Sequence, residues 1–108
     1  MSKIKLNYED RTYTLEYTRG TARIIEENGF NINLVDTQPN KMIPLLFQGA
    51  FLKNHRNIKP KVLDEIYDAQ TKKNDLIMAL GTMYADTTKS LVDDESEDDE
   101  KNQTWELV

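Results

Sequence analysis

Residues 3–17 read Lys3-Ile4-Lys5-Leu6-Asn7-Tyr8-Glu9-Asp10-Arg11-Thr12-Tyr13-Thr14-Leu15-Glu16-Tyr17, and their alternation decides the fold. Ile4, Leu6 and Tyr8 share one face, with Lys5 and Asn7 between them. Tyr13, Leu15 and Tyr17 repeat the pattern with Thr14 and Glu16 between them. Strand side chains point alternately to opposite faces, so a period of two predicts two half-buried strands. The polar Glu9-Asp10-Arg11 predicts a short hairpin connection. A lone hairpin is marginal in water, so its apolar face must rest on other elements.

Outward from the hairpin, the periodicity becomes helical. Thr18 is the expected N-cap of a helix carrying Ala22, Ile24 and Ile25, with Gly29 supplying the left-handed stop after Asn28. Residues 30–35 read as an apolar connection with a short extended piece, and residues 36–40 as a turn. Residues 42–54 form the most apolar helix, with Met42, Ile43, Leu45, Leu46, Phe47, Ala50, Phe51 and Leu52 going nearly all round. Such a helix is central to a core or partly covered by a partner. Pro44 predicts a start near residues 40–43, because proline is best tolerated in a first turn.

Residues 55–61 read as a basic loop. Val62, Leu63, Ile66, Tyr67 and Ala69 predict a helix ending near Gln70. Asn74 or Asp75 would cap a last helix, in which Ile77, Leu80, Tyr84, Thr87 and Leu91 recur at alternating spacings of three and four. Leu76 and Met83 widen this seam. The expected fold is therefore α+β, an N-terminal β-hairpin packed on about four α-helices.

Charge separates a body from a tail. Residues 1–92 carry thirteen Lys and Arg against eleven Asp and Glu, whereas residues 93–108 carry eight acids against Lys101 alone. The body, residues 1–92, reads as a single domain. Residues 93–108 read as a disordered acidic tail, because residues 93–100 self-repel, hold no apolar residue and cannot repay their ordering entropy. The tail finishes in Thr104-Trp105-Glu106-Leu107-Val108, either an inert terminus or a short anchor.

Composition narrows the chemistry. The chain has no cysteine and one histidine, His55, so cysteine-based metal sites and Cys–His dyads are ruled out. The glycines stand apart, and none belongs to a phosphate-binding loop. His55, among Lys53, Arg56, Lys59 and Lys61, reads as a solvated loop residue. The carboxylates at Asp64, Glu65 and Asp68 read as the wet side of a helix. No enzyme activity and no cofactor are expected. The nearly neutral body argues against a nucleic-acid partner, which needs clustered positive charge. No stretch approaches the ~20 apolar residues of a membrane span, so a cytoplasmic protein without a membrane partner is expected.

What remains is an apolar surplus. Its plain reading is core packing, which Phe51 favours; the other is an exposed groove for a partner helix, or a self-association face giving a homo-oligomer. On the second reading the candidate contact residues are Phe47, Phe51, Leu80, Tyr84, Leu91 and Trp105.

Three stretches carry a resemblance. Leu45-Leu46-Phe47-Gln48-Gly49-Ala50-Phe51-Leu52-Lys53-Asn54-His55, with Tyr13-Thr14-Leu15-Glu16-Tyr17-Thr18-Arg19 and Asp64-Glu65-Ile66-Tyr67, resembles tail assembly chaperones of long-tailed bacteriophages and prophages of Gram-positive hosts. The likeness spans about residues 3–92. It implies a small, mostly helical, non-enzymatic protein in the host cytoplasm. Its implied partner is the tape measure protein, kept soluble until tail tube protein polymerises around it. Two other classes stay open: a head–tail adaptor or other tail component, and an acidic nucleic-acid mimic.

Overall fold

The computed structural model describes residues 3–91. Strands β1 (Ile4–Tyr8) and β2 (Arg11–Leu15) form an antiparallel hairpin pairing Leu6 with Tyr13 and Ile4 with Leu15. Helices α1 (Arg19–Glu27), α2 (Pro39–Phe51), α3 (Pro60–Asp68) and α4 (Lys73–Leu91) follow, with a single 3₁₀ turn over Ile32–Leu34 between α1 and α2. The α+β expectation holds in kind and in order. The acidic tail predicted for residues 93–108 lies outside the described residues.

Local chemistry sets most of these boundaries. Glu9 and Asp10, the two hairpin loop residues, both have positive φ (47° and 63°). That mirror-image turn matches the right-handed twist of the strands. Thr18 caps α1 reciprocally with Thr21: the Thr21 amide donates to Thr18 Oγ1 at 3.1 Å, and the Thr18 amide donates to Thr21 Oγ1 at 2.9 Å. Gly29 ends the helix at φ 104°, with its amide on Glu26 O and the Phe30 amide on Ile25 O. Ile25 and Phe30 are both buried, so the stop also packs two core residues together.

Two expectations need correction. Ile32–Leu34 is a 3₁₀ turn and not an extended piece, because Asn31 Oδ1 accepts from the Asn33 amide at 2.9 Å and tightens the chain. Helix α2 starts at Pro39, so Pro44 falls in its second turn. The carbonyl that loses its partner to Pro44 belongs to Asn40, and both residues are exposed, on the solvent side of the helix.

Helix α2 is the centre of the molecule. It packs against α1, α3, α4 and β2. Its Met42, Leu46, Phe47, Ala50 and Phe51 join Leu15, Tyr17, Ile25, Ile66 and Leu80 in one core. Each fully buried side chain of this size contributes roughly 1.5–3 kcal/mol. Gly49 lets α1 approach closely, and the Tyr17 hydroxyl donates to Leu46 O at 2.5 Å.

Candidate partner-binding groove

The six residues expected to contact a partner are dispersed by the fold. Phe47, Phe51, Leu80 and Tyr84 are all buried in the core. Phe51 is 1% exposed and stacks edge-on with Phe47 at 4.9 Å. Tyr84 meets Phe30 at 5.0 Å, and its hydroxyl donates to Glu26. Burial, then the Glu26 carboxylate, pushes the Tyr84 phenol well above its ordinary range. Phe51, Leu80 and Tyr84 line no cavity described below, whereas Phe47, though buried, forms part of a cavity wall. Leu91 is 63% exposed at the end of α4, and Trp105 lies outside the described residues. Along the seam of α4, Leu80, Tyr84 and Thr87 are buried as expected, joined by Met83, while Ile77 is half-buried.

His55 also departs from the reading of a solvated loop. It is half-buried beside Tyr13, at 5.1 Å between ring centroids, and its Nε2 accepts from the Thr14 amide at 3.0 Å. The basic neighbours concealed this role, because the bond closes across forty-one positions of sequence. Nearby, buried Glu16 accepts from Lys53 Nζ and Asn54 Nδ2, each at 3.0 Å. The Asn54 bond, then the Lys53 bond, holds its carboxyl below the ordinary range against the opposing effect of burial. Residues 50–55 thus clamp β2 to the body through bonds made by Ala50, Lys53, Asn54 and His55.

The open apolar surface lies elsewhere. Residues of α2 and α3 enclose a cavity of about 370 Å³ lined by Pro39, Ile43, Pro44, Phe47, Leu63 and Tyr67, among others. A second cavity of about 440 Å³ continues it to Val35, Ile77 and Met78, and the two share Pro39, Ile43 and Tyr67. Met78 is 70% exposed, so the groove opens to solvent. Asp36, Asp64 and Asp68 stand on its rim, and neither cavity is lined by Lys or Arg. At one end Lys73 Nζ donates to Gln70 O at 2.9 Å and lies 5.9 Å from the Tyr67 ring centre, fixing the start of α4 against the end of α3.

Sequence reasoning placed Ile43 and Tyr67 in core stripes and passed over Met78. The available signal was phase. Met78 follows Ile77 immediately, so it is an apolar residue on the side of α4 turned away from the seam.

Chemically, the groove can hold an apolar side chain or a helix face, with acidic groups placed to meet basic neighbours. Among the described residues no group of three or more His, Asp or Glu could hold a metal ion, and no helix is long and apolar enough to cross a membrane. No curated protein and no solved structure matches the chain. Residues 1–107 match the model of a family described as Domain of unknown function (DUF5055), and the chain belongs to that family.

Proposed function

We propose that the chain is a non-enzymatic chaperone of phage tail assembly, working in the host cytoplasm, that shields the apolar face of the tape measure protein. The observation that carries this reading is the open groove over Ile43, Tyr67, Ile77 and Met78. Its apolar floor and acidic rim suit an amphipathic helix presenting anchors three and four residues apart with lysine or arginine beside them. The resemblance of residues 3–92 to tail assembly chaperones supports the same reading. Burying apolar area in such a groove contributes roughly 25 cal/mol per Å² before the cost of association is subtracted. One short groove therefore holds a partner weakly, and several copies along one long helix reach useful strength through effective concentration.

The test is co-expression of the tape measure protein encoded nearby, with and without this chain. The expected result is soluble tape measure protein that co-elutes with several copies of the chain. Equal precipitation in both cultures refutes the proposal. A Met78→Asp variant that folds normally but no longer rescues solubility would locate binding in the groove.

A further inference from the structure

The hairpin has two outer edges, and the fold treats them differently. In an antiparallel pair, residues that exchange ladder bonds alternate with residues whose amide and carbonyl point outward. With Tyr8 and Arg11 closing a two-residue loop, the outward residues are Lys5 and Asn7 on β1 and Thr12 and Thr14 on β2. On β2 the body caps this edge: the Thr14 amide donates to His55, Thr14 O accepts from Asn54 at 3.1 Å, and the Glu16 amide donates to Ala50 O at 3.1 Å. On β1 the outward amides and carbonyls of Lys5 and Asn7 have no partner among the described residues. The apolar margin beside them is also open, since Ile4 and Tyr8 are half-buried next to buried Leu6.

Charge runs along this free edge with a direction. Its start carries Lys3 and Lys5, both exposed, and its end turns into exposed Glu9 and Asp10. Glu65 of α3 adds to the acidic end: burial first, then Glu9 and Glu65, raises the Tyr8 phenol above its ordinary value. Arg11, opposite Tyr8, belongs to the other strand. A uniformly acidic strand laid on this edge would meet Glu9 and Asp10, and a uniformly basic one would meet Lys3 and Lys5. The strand that matches has the same order of charges and runs the opposite way. β1 itself has that order.

We propose that β1 pairs antiparallel with β1 of a second copy, joining two hairpins into one four-stranded sheet about a two-fold axis. With the axis at Leu6, Lys5 of each copy exchanges backbone bonds with Asn7 of the other. Leu6 then faces Leu6, and Ile4 of each copy faces Tyr8 of the other, which closes the open margin from both sides. Lys3 of each copy comes opposite Glu9 of the other. Shifting the register by two residues sets Lys5 against Lys5 in one direction and runs Ile4 past the strand end in the other. Assembly stops at two copies, because both outer strands are then β2, whose edge the body already caps. A contact along one five-residue strand is small, so the dimer depends on concentration. The groove over Ile43, Tyr67 and Met78 takes no part in it, so partner binding and pairing can fail separately.

Sedimentation equilibrium of the full chain from low to high micromolar concentration should show monomer giving way to dimer, with nothing larger. The Lys5 and Asn7 amides should gain hydrogen-exchange protection over the same range. Asn7→Pro removes an outward amide that the hairpin does not use, so it should abolish the dimer with the circular dichroism of the fold retained. Lys3→Glu and Glu9→Lys should each weaken the dimer roughly tenfold at low salt, since two cross-strand pairs turn from opposite to like charge. An equimolar mixture of these two variants should dimerise again, because each supplies the charge the other lacks. A change confined to one copy's own fold could not produce that rescue. Met78→Asp should leave the dimer intact. Monomer at every concentration, indifference to Asn7→Pro or to the charge variants, growth beyond two copies, or no rescue on mixing overturns the proposal. Loss of the dimer in Met78→Asp overturns it as well, by placing the contact in the groove. If Asn7→Pro fails to fold, the mixing experiment decides.

Discussion

Gly49 in α2 and Ile25 in α1 stand so close that a Cβ on the glycine would lie 2.8 Å from Ile25 Cγ2 and 3.3 Å from Tyr17 Cε1. Ile25 is fully buried and cannot swing away. Gly49→Ala should therefore destabilise by about 1–3 kcal/mol, as overpacked cores do. Gly20→Ala is the control: its new Cβ would meet only Thr18 Oγ1, at 3.6 Å, and should stabilise by roughly 0.5 kcal/mol. Thermal melts of the two variants should move in opposite directions.

Acid should weaken the attachment of the hairpin. Glu16 has its carboxyl held below the ordinary value by Asn54 and Lys53, so it binds a proton more readily unfolded than folded. Its stabilising contribution is complete above the unfolded value, about 4.3, and is lost as pH falls through the lower folded value. Urea midpoints measured from pH 7 down to pH 3 should fall more steeply for the wild type than for Glu16→Gln. Parallel curves would show that the pair contributes nothing.

The hairpin loop holds a local penalty. Glu9 and Asp10 both occupy the left-handed region, which asparagine and glycine enter at least cost. Glu9→Asn with Asp10→Gly should raise stability by about 1 kcal/mol without altering the strand register. A chemical denaturation series checks the gain, and cross-strand contacts between Leu6 and Tyr13 check the register.

Core and groove should separate cleanly under mutation. Phe51→Ala should cost about 3–5 kcal/mol, because the cavity it leaves is walled by Tyr13, Phe47 and His55. Met78→Asp, at an exposed position, should stay within about 0.5 kcal/mol of the wild type while losing the partner. The pair of measurements is stability by melting and tape measure solubility on co-expression. Loss of solubility with Phe51→Ala at a temperature where it remains folded, but not with Met78→Asp, would place the contact outside the groove.

Features written in adjacent residues were legible in the sequence. Thr18 and Gly29 bound α1 because capping chemistry acts within four positions, and the alternation of residues 3–17 announces the hairpin directly. The seam of α4 was legible through Tyr84 and Thr87 because helical phase is a local property. Pro44 misled because its tolerance depends on whether the freed Asn40 carbonyl meets water, which only the packed molecule decides. His55 misled for the same reason, its acceptor bond being made to a residue far along the chain. Of the groove, only Phe47 was among the contact residues read from the sequence. Its walls come from residues far apart in sequence, Ile43 on α2, Tyr67 on α3 and Met78 on α4, which only the packed molecule brings together.

The clamp on β2 has a bearing on the order of events during synthesis. The partners of Thr14 and Glu16 lie thirty-seven to forty-one residues further on, at Lys53, Asn54 and His55. The hairpin can close on itself within microseconds, yet it has nothing to fasten to until the end of α2 has left the ribosome. Through that interval both strands offer open edges and an uncovered apolar face. Once fastened, the hairpin still hangs mainly on that one short segment, so it should open as a unit ahead of α2. Native-state hydrogen exchange should then show the Arg11–Leu15 amides releasing below the global unfolding free energy, and together.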